Sequence, residues 1–317
     1  MNILNFITSD ITNNINLYME AVVPKLVRNY TLHNFFKKNI TLREAVLYAL
    51  GVGCNQDPMN KHELKFTYEN HPDFEVIQSI TSAFSVVDLE KIRNCPGLPK
   101  YDPMALLHGE QVITFSKPVL AGMNFKSHQI IEDIADKKSG ALLTIKTTES
   151  LEESNETITV NHCRLFIRGI GGFGDKGVLP AENFPKPKSD TVIEQVTYPT
   201  ALNQAHLYRN ASEDVNPLHV DPDQAERGGF KRPILHGLCT LGFSTRAYQS
   251  VFNTSKFAKI GVRFTAPTTP GQKLLIKFFE TENNDVKIFE THAYDSTSSE
   301  DKAIVVAKGF FHQLASK

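Results

Sequence analysis

The stretch Phe115-Ser116-Lys117-Pro118, followed by Gly122, returns later as Phe264-Thr265-Ala266-Pro267, followed by Gly271, with the same spacing. Three segments with the β-branched, alternating pattern of strands follow each copy. Three shared letters are a weak signal alone, but the shared strand count strengthens it. The sequence therefore predicts an α+β unit, a helix followed by antiparallel strands, that occurs twice in the chain.

Short local signals set the bounds of the predicted elements. Thr41 and Glu44 form a capping-box pattern that begins a helix over residues 42–50. Further helices are predicted over residues 201–208 after a cap at Thr200, from Asp221-Pro222 onward, and over residues 235–251. The predicted strands are residues 111–115, 124–134, 141–148 and 157–168, and then residues 259–265, 273–280, 286–294 and 303–312.

Composition divides the chain into four parts. A glycine cluster at residues 169–174 precedes a proline-bearing stretch, residues 177–199, whose spacing suits an extended linker. The predicted parts are an N-terminal extension (residues 1–40, helical over 12–27), a first repeat (41–174), a linker (175–199) and a second repeat (200–317).

The overall composition narrows the class of protein. The 317-residue chain has a formal net charge of −1 and no basic stripe, which argues against a nucleic-acid partner. Its hydrophobic content of 41% is enough for a core in each half. The four cysteines form no CxxC pair, so we expect reduced thiols in an intracellular protein. No apolar run approaches the roughly 18 residues that a membrane-spanning helix needs.

A second stretch carries groups suited to acid–base chemistry. Asp214-Val215-Asn216-Pro217-Leu218-His219 sets a carboxylate, an amide and an imidazole in one turn, which its proline stiffens. Pro233-Ile234-Leu235-His236-Gly237 follows, and Gly237 opens the predicted long helix, where backbone N–H groups lack helical partners. Such groups can move a proton of water and hold a developing negative charge. Alone, the Asp-x-Asn-Pro-x-His pattern is more often a capped turn with a surface histidine.

The flanking residues favour the chemical interpretation, because the chain resembles the MaoC-like (R)-specific enoyl-CoA hydratases, called hydratase 2. That family also occurs as a domain of peroxisomal multifunctional enzyme type 2. In the second half the resemblance rests on Tyr208-Arg209, residues 214–219, Asp221-Pro222, Ala225, Gly229-Phe230 and residues 233–237. In the first half it rests on residues 48–53, Leu64-Lys65-Phe66, Tyr68-Glu69, Leu107-His108-Gly109 and Gly171-Gly172-Phe173. It implies a double hot-dog fold, in which two hot-dog repeats share one chain.

The resemblance also implies a reaction, the reversible addition of water to trans-2-enoyl-CoA to give (3R)-3-hydroxyacyl-CoA in fatty-acid metabolism. Asp214 and His219 would activate the water, and Asn216 would hold their loop. The Gly237 amide would polarise the thioester carbonyl, and Glu69 matches a glutamate that the family needs for activity. Only the second half carries the Asp-x-Asn-Pro-x-His pattern, so we expect one catalytic site per chain and an acyl-binding first half.

Other groups give weaker expectations. Lys231 and Arg232 could bind the phosphates of CoA, although solvated loop charges are the commoner case. His162-Cys163 has no matching ligand set, so we predict no metal, and no cofactor besides the CoA of the substrate. We expect a homodimer. Ala315-Ser316-Lys317 resembles a peroxisomal Ser-Lys-Leu ending without its leucine. The resemblance predicts a peroxisome, with the mitochondrion as the alternative.

Two features depart from the pattern. The family has Ser-Gly-Asp where this chain has Ser212-Glu213-Asp214, and Glu213 is expected to deny the positive φ that glycine allows and to add charge beside Asp214. The Leu-His-Gly triplets at residues 107–109 and 235–237 fall outside the register of the repeat and are interpreted as coincidence. Two rival functions stay open: an acyl-carrier-protein dehydratase of mitochondrial fatty-acid synthesis, and a non-catalytic hot-dog subunit of a larger assembly.

Overall fold

A computed structural model describes residues 21–84 and 86–314, with all side chains except those of Asn34, Phe35 and Phe84. The strands of this part are β1 (Tyr30–Asn39), β2 (Leu106–Phe115), β3 (Asn124–Asp136), β4 (Gly140–Leu151), β5 (Thr157–Arg168), β6 (Val192–Pro199), β7 (Phe257–Phe264), β8 (Gln272–Glu280), β9 (Val286–Asp295) and β10 (Ile304–Gln313). The helices are α1 (Pro24–Val27), α2 (Leu42–Gly51), α3 (Leu64–Thr67), α4 (Ile80–Phe84), α5 (Leu89–Arg93), α6 (Gln204–Ser212), α7 (Pro222–Arg227) and α8 (Gly237–Phe252). Short 3-10 turns lie at Lys61–Glu63, Pro103–Ala105, Pro217–His219 and Glu300–Lys302.

The strands form one antiparallel sheet in the order β1-β3-β4-β5-β2-β7-β10-β9-β8-β6. Read inward from each edge, the first half runs β1-β3-β4-β5-β2 and the second half runs β6-β8-β9-β10-β7. Each half therefore has the same internal order, and the two halves meet where β2 pairs with β7. The duplication predicted from the repeated Phe-x-x-Pro motif is confirmed.

The register of β2 against β7 shows how the two halves are related. Val112 pairs with Gly261, and the same offset in residue number that carries Phe115 to Phe264 carries Val112 to Gly261. The halves are therefore joined as in an isologous dimer, around a pseudo-twofold axis at this pair. A side chain at Gly261 would lie 2.4 Å from the Phe310 ring, so glycine permits the close approach there.

The repeated glycines are also equivalent in backbone conformation. Gly122 has φ of 90° and Gly271 has φ of 93°. Both precede the strand that follows the Phe-x-x-Pro turn, and this left-handed conformation is one that glycine adopts without a steric penalty.

The two halves differ in their central helix. In the second half α8 spans 16 residues, and 11 of them, Cys239 to Gln249, are buried. Among the described residues of the corresponding first-half segment, between α3 and β2, the α-helices are the five-residue α4 and α5. A buried ion pair ties α8 to the first half, because Arg246 Nε donates to Glu63 Oε1 at 2.6 Å. The fold is thus duplicated in its sheet but asymmetric in its helices.

Two edge strands correct the predicted domain bounds. Strand β1 lies within the predicted N-terminal extension and pairs with β3, and β6 lies within the predicted linker and pairs with β8. Both strands are at sheet edges, where one side of the ladder faces solvent and the apolar alternation is weak. The helix predicted over 12–27 falls mostly outside the described residues, and only Pro24–Val27 is helical in the described part.

The other predicted elements need smaller corrections. Thr41 and Glu44 form the predicted capping box of α2, and Asp221 caps α7. Thr200 is not a helix cap, because its hydroxyl donates to Gln272 O at 2.7 Å. Helix α6 therefore begins at Gln204, three residues later than its predicted start at 201.

The expectation for Glu213 is wrong in one respect. Glu213 adopts the left-handed conformation itself, with φ of 58° and ψ of 17°, as the C-cap of α6. Its carboxylate pairs with Lys38 of β1, Oε1 to Nζ at 2.7 Å. The chain thus adopts a left-handed backbone without glycine at this position and partners the added charge with a first-half lysine.

This geometry predicts the effect of two substitutions on stability. Glu213→Gly relieves a left-handed strain of about 1 kcal/mol and loses an exposed ion pair that contributes about 0–1 kcal/mol. Glu213→Ala loses the pair and keeps the strain. We expect Glu213→Gly to have a higher urea midpoint than Glu213→Ala, which corresponds to a free energy of unfolding larger by about 1 kcal/mol. Its turnover should be no lower than that of the wild type. Equal midpoints would show that the position carries no strain.

Candidate active site

A cavity of about 650 Å3 lies between the two halves. Its second-half wall includes Asp214, Asn216 and His219 from the turn after α6, and His236 and Gly237 at the start of α8. Its first-half wall is largely apolar and includes Val86, Val87, Leu89, Leu106, Leu165 and Phe166. The predicted catalytic stretches therefore meet at one end of a cavity whose other end is built by the first repeat.

The turn that holds the acid is stiffened by its own side chains. Asn216 caps the 3-10 turn at Pro217, since its Oδ1 accepts from the Leu218 N–H at 3.1 Å. Asp214 Oδ1 accepts from the Asn216 N–H at 2.9 Å. Proline fixes its own backbone angle as well, so the carboxylate is held on a rigid loop.

The surroundings of His219 define its tautomer. Its Nδ1 lies 2.9 Å from Ile234 O, and because a carbonyl only accepts, Nδ1 carries the proton. Nε2 is then the basic atom. Burial lowers the pKa of His219, against the opposing effects of Asp214 and of the bond to Ile234. A neutral imidazole with a free Nε2 at physiological pH is the state that a general base requires.

His236 is a site residue that the sequence analysis missed. It is only 2% exposed, and its ring stacks on His219 with centroids 3.7 Å apart and an interplanar angle of 30°. Its Nε2 lies 3.9 Å from Asp214 Oδ2. Burial, with smaller effects of His219 and Arg209, lowers its pKa well below the usual value, so the ring is neutral.

The first-half Leu-His-Gly triplet, residues 107–109, lines the same cavity. His108 lies on β2, 5.1 Å from the Phe264 ring in an edge-to-face contact, and burial lowers its pKa to about 4. The triplets are not equivalent positions of the repeat, as expected. Both triplets nevertheless line one cavity, from opposite halves of the fold. Because they were interpreted as coincidence, His108 and His236 were not predicted as site residues.

Gly237 is the first residue of α8, as predicted. A Cβ there would lie 3.2 Å from the Phe264 ring, which leaves little room for a side chain. The first hydrogen bonds of the helix are donated by the Cys239 and Thr240 N–H groups to His236 O. The Gly237 N–H precedes them and has no acceptor within the helix, so it can donate to an oxygen of a ligand. The helix dipole favours negative charge at this end.

Asp214, His219 and His236 each offer one ligand atom, and these atoms lie within 4.8 Å of one another. A metal must lie in the plane of each imidazole at about 2.0–2.1 Å from its nitrogen. The His219 and His236 rings are stacked, with centroids 3.7 Å apart and an interplanar angle of 30°. Their planes therefore do not meet at the short distance from both nitrogens where a metal would lie. The arrangement suits proton transfer better than metal binding, and the prediction of no metal stays a prediction.

The other predicted binding residues lie apart from this cluster. Glu69 is exposed after α3 and is not part of the cavity wall. Lys231 and Arg232 are exposed between Phe230 and Ile234, two residues that line the cavity, and so they lie near its rim. The structure brings together Asp214, Asn216, His219 and Gly237, but not Glu69.

A ten-stranded sheet of two equivalent halves, with one acid–imidazole site between them, defines a double hot-dog protein. Two family models match the chain: the MFE-2 hydratase 2 N-terminal domain over residues 39–169 and the MaoC-like domain over residues 183–303. A MaoC-like dehydratase from Phytophthora capsici has the same fold, with a TM-score of 0.77 and 26% identity over 92% of this chain and 99% of that chain.

The sequence relatives give the family. A probable enoyl-CoA hydratase 2 of Dictyostelium discoideum is 33% identical over 281 residues, covering 86% of this chain and 90% of that protein. The peroxisomal enoyl-CoA hydratase 2 of Arabidopsis thaliana is 34% identical over 289 residues, covering 86% and 89%. The chain belongs to the enoyl-CoA hydratase 2 family.

Some relatives are much longer. The mouse peroxisomal multifunctional enzyme type 2 is 36% identical over 272 residues, which are 81% of this chain but 35% of the mouse protein. The chain thus spans about a third of that relative. Among the helices of residues 21–84 and 86–314, none has the length and apolar character needed to cross a bilayer.

The buried histidines predict how stability depends on pH. His108 has a folded-state pKa lowered from 6.5 to about 4, so below pH 6.5 the unfolded chain binds a proton that the folded chain does not. The free energy of unfolding should therefore fall as the pH drops from 6.5 toward 4, by up to about 1.4 kcal/mol per pH unit for each such histidine. His108→Gln should flatten this slope in urea titrations, while the surface substitution His206→Gln serves as the control. An unchanged slope in His108→Gln would contradict the assignment.

Proposed function

We propose that this chain adds water reversibly to trans-2-enoyl-CoA thioesters and releases (3R)-3-hydroxyacyl-CoA. The observation that carries the proposal is the convergence of Asp214, the free Nε2 of His219 and the Gly237 amide on one cavity whose first-half wall is largely apolar. The names of the family relatives support the reaction class, and the 3R product rests on the resemblance to the (R)-specific hydratases. The reaction transfers no electrons, so its chemistry asks for no redox cofactor.

Hydration can be written on these residues alone. A water held between Asp214 and His219 loses a proton to the pair as its oxygen attacks C3 of the enoyl group. The electrons of the C2–C3 double bond move toward the thioester oxygen. The pair then returns a proton to C2, and the product carries hydroxyl at C3 and hydrogen at C2. Dehydration is the same sequence in reverse.

The N-terminus of α8 supplies the electrostatic part. As negative charge develops on the thioester oxygen, this oxygen can accept a hydrogen bond from the Gly237 N–H. The dipole of a 16-residue helix favours negative charge at the same place. A Cβ at this position would lie 3.2 Å from the Phe264 ring, so packing against that ring explains why the residue is glycine.

The first half is proposed to bind the acyl chain. It contributes apolar side chains to the cavity and lacks the acid–imidazole turn. Where the second half has α8, the first half has only α4 and α5, and Val86, Val87 and Leu89 from that segment line the cavity. Each buried methylene of a substrate contributes about 0.8 kcal/mol to binding.

Finer features belong to the same proposal. Lys231 and Arg232 near the cavity rim are candidates for contacts with CoA phosphates, and a homodimer is kept as a prediction. Relatives named as peroxisomal favour a peroxisomal location over a mitochondrial one. An acyl-carrier-protein dehydratase would use the same residues, so only the carrier distinguishes it.

The central experiment is an assay of purified protein with crotonyl-CoA, monitored by loss of the enoyl-thioester absorbance, with chiral analysis of the product. We expect (3R)-3-hydroxybutyryl-CoA and the reverse reaction from the same isomer. Parallel assays with crotonyl-acyl-carrier protein decide the carrier. Absence of turnover with both substrates would favour a non-catalytic hot-dog subunit, and a 3S product would contradict the proposed stereochemistry.

Asp214→Asn and His219→Ala should each lower kcat by at least about 10²-fold, the range of acid–base groups. Because the two residues act as one unit, the double variant should be little slower than either single variant. Circular dichroism and urea unfolding would show that the fold is retained. A single variant that keeps a tenth or more of wild-type kcat would exclude that residue from the proton-transfer pair.

Leu165→Phe tests the acyl-binding role, because Leu165 is buried on β5 and lines the cavity. Loss of space for about two methylenes should raise the KM for a long-chain enoyl-CoA about tenfold relative to crotonyl-CoA. Leu143→Phe on β4 is a matched control, since Leu143 is fully buried but not part of the cavity wall. An equal change for long and short substrates would place the acyl chain elsewhere.

A further inference from the structure

We propose that His236 is a positioning residue for both members of the acid–imidazole pair: its ring sets the plane of His219, and its Nε2–H holds the free oxygen of Asp214. This role rests on the proposed hydratase function. It goes beyond it by assigning a task to a residue that neither transfers a proton nor contributes the backbone donor.

The first observation is that His236 is buried without hydrogen-bond partners. It is 2% exposed, and neither Nδ1 nor Nε2 has a partner among the described residues. A buried polar group left without a hydrogen bond costs about 1–3 kcal/mol. Such a cost at the wall of a substrate cavity is expected where the missing bond forms in the working complex.

The second observation is the position of Asp214 relative to this ring. Oδ1 of Asp214 already accepts from the Asn216 N–H, and Oδ2 lies 3.9 Å from His236 Nε2. A carboxylate oxygen only accepts, so this neighbour favours the His236 tautomer with the proton on Nε2. A movement of about 1 Å would make a hydrogen bond of ordinary length. Asp214 would then be held at both oxygens, and each oxygen would keep a second lone-pair direction that can accept from the water.

The third observation is the stack itself. The His219 ring is fixed at one edge by its bond to Ile234 O, which leaves rotation about that edge. His236 covers one face of it at 3.7 Å, and the Tyr208 ring lies 5.0 Å from His236. The His236 ring therefore lies between Tyr208 of α6 and His219 of the turn, and this packing sets the direction in which His219 Nε2 points. A misplacement of about 1 Å can cost 10²-fold in rate.

Burial keeps His236 neutral, and the charges around it have smaller effects. The titratable and charged groups that face it are Tyr208 and Arg209 from α6, and Asp214 and His219 from the turn. Arg209 and the N-terminus of α8 both disfavour a second positive charge. When His219 takes up a proton during the reaction, the neutral ring beside it can stay in contact with it.

Two substitutions separate the two tasks. His236→Phe keeps an aromatic ring for the stack and removes the donor, so we expect kcat for crotonyl-CoA to fall about 10- to 10²-fold, with an unchanged acid limb of the kcat/KM pH profile. His236→Gln keeps a donor and removes the ring. It should retain more kcat than His236→Phe, while the acid limb moves upward because His219 is less covered. KM should change by less than about threefold in both. His206→Phe, at an exposed histidine of α6, is the control.

A second measurement does not depend on turnover or on the folding of a variant. In 15N-histidine NMR of the wild-type protein, His236 should carry its proton on Nε2, and that proton should move downfield when (3R)-3-hydroxybutyryl-CoA is bound. The proposal is overturned if the proton is on Nδ1 or its signal is unchanged by the ligand. It is also overturned if both variants keep kcat within about twofold of wild type with the same acid limb. Failure of the wild type itself to hydrate crotonyl-CoA would instead overturn the proposed function.

Discussion

The pairing of β2 with β7 is the contact on which the rest of the structure depends. It joins two five-stranded halves into one sheet around the Val112–Gly261 pair. Glu110 is buried on β2 and forms ion pairs with Arg164 of β5 and Arg263 of β7. One carboxylate therefore links strands of both halves. The position of the first-half cavity wall relative to the turn that holds Asp214 and His219 follows from this register. A shift of one residue would turn every β2 side chain to the other face.

Duplication within one chain allows the two halves to differ. In a symmetric dimer both halves would need the same central helix, whereas here only the second half has the long α8. The helix gives that half an N-terminus with free amides beside Asp214 and His219. The lack of an equivalent helix gives the first half room for an apolar cavity wall. Two identical halves could not easily provide both features, because the long helix and the apolar cavity wall occupy the same position in the two halves.

The sequence predicted the parts of the fold that local chemistry determines. Strand β5 was predicted with its observed bounds because its residues alternate strongly between buried and less buried positions. Strands β1 and β6 were missed because an edge strand buries less of each residue, and β6 has no fully buried residue. For Glu213 the error came from treating a left-handed backbone as a property of glycine alone. The neighbouring fold sets that conformation, and the distant Lys38 partners the charge.

The candidate site was predicted only as far as one continuous stretch reaches. Asp214, Asn216 and His219 lie within a single turn, so their proximity follows from spacing. His108 and His236 lie far apart in the sequence, and only the β2–β7 register brings both to one cavity. Their burial makes them neutral, which no composition or spacing rule can indicate, because a pKa depends on what surrounds the ring in space. In the proposed mechanism, the largely apolar first-half wall strengthens the interaction of a developing negative charge with the Gly237 amide, because a low dielectric weakens this interaction less than water does. The features that give this site its chemistry are therefore tertiary, even though the residues that name the family are local.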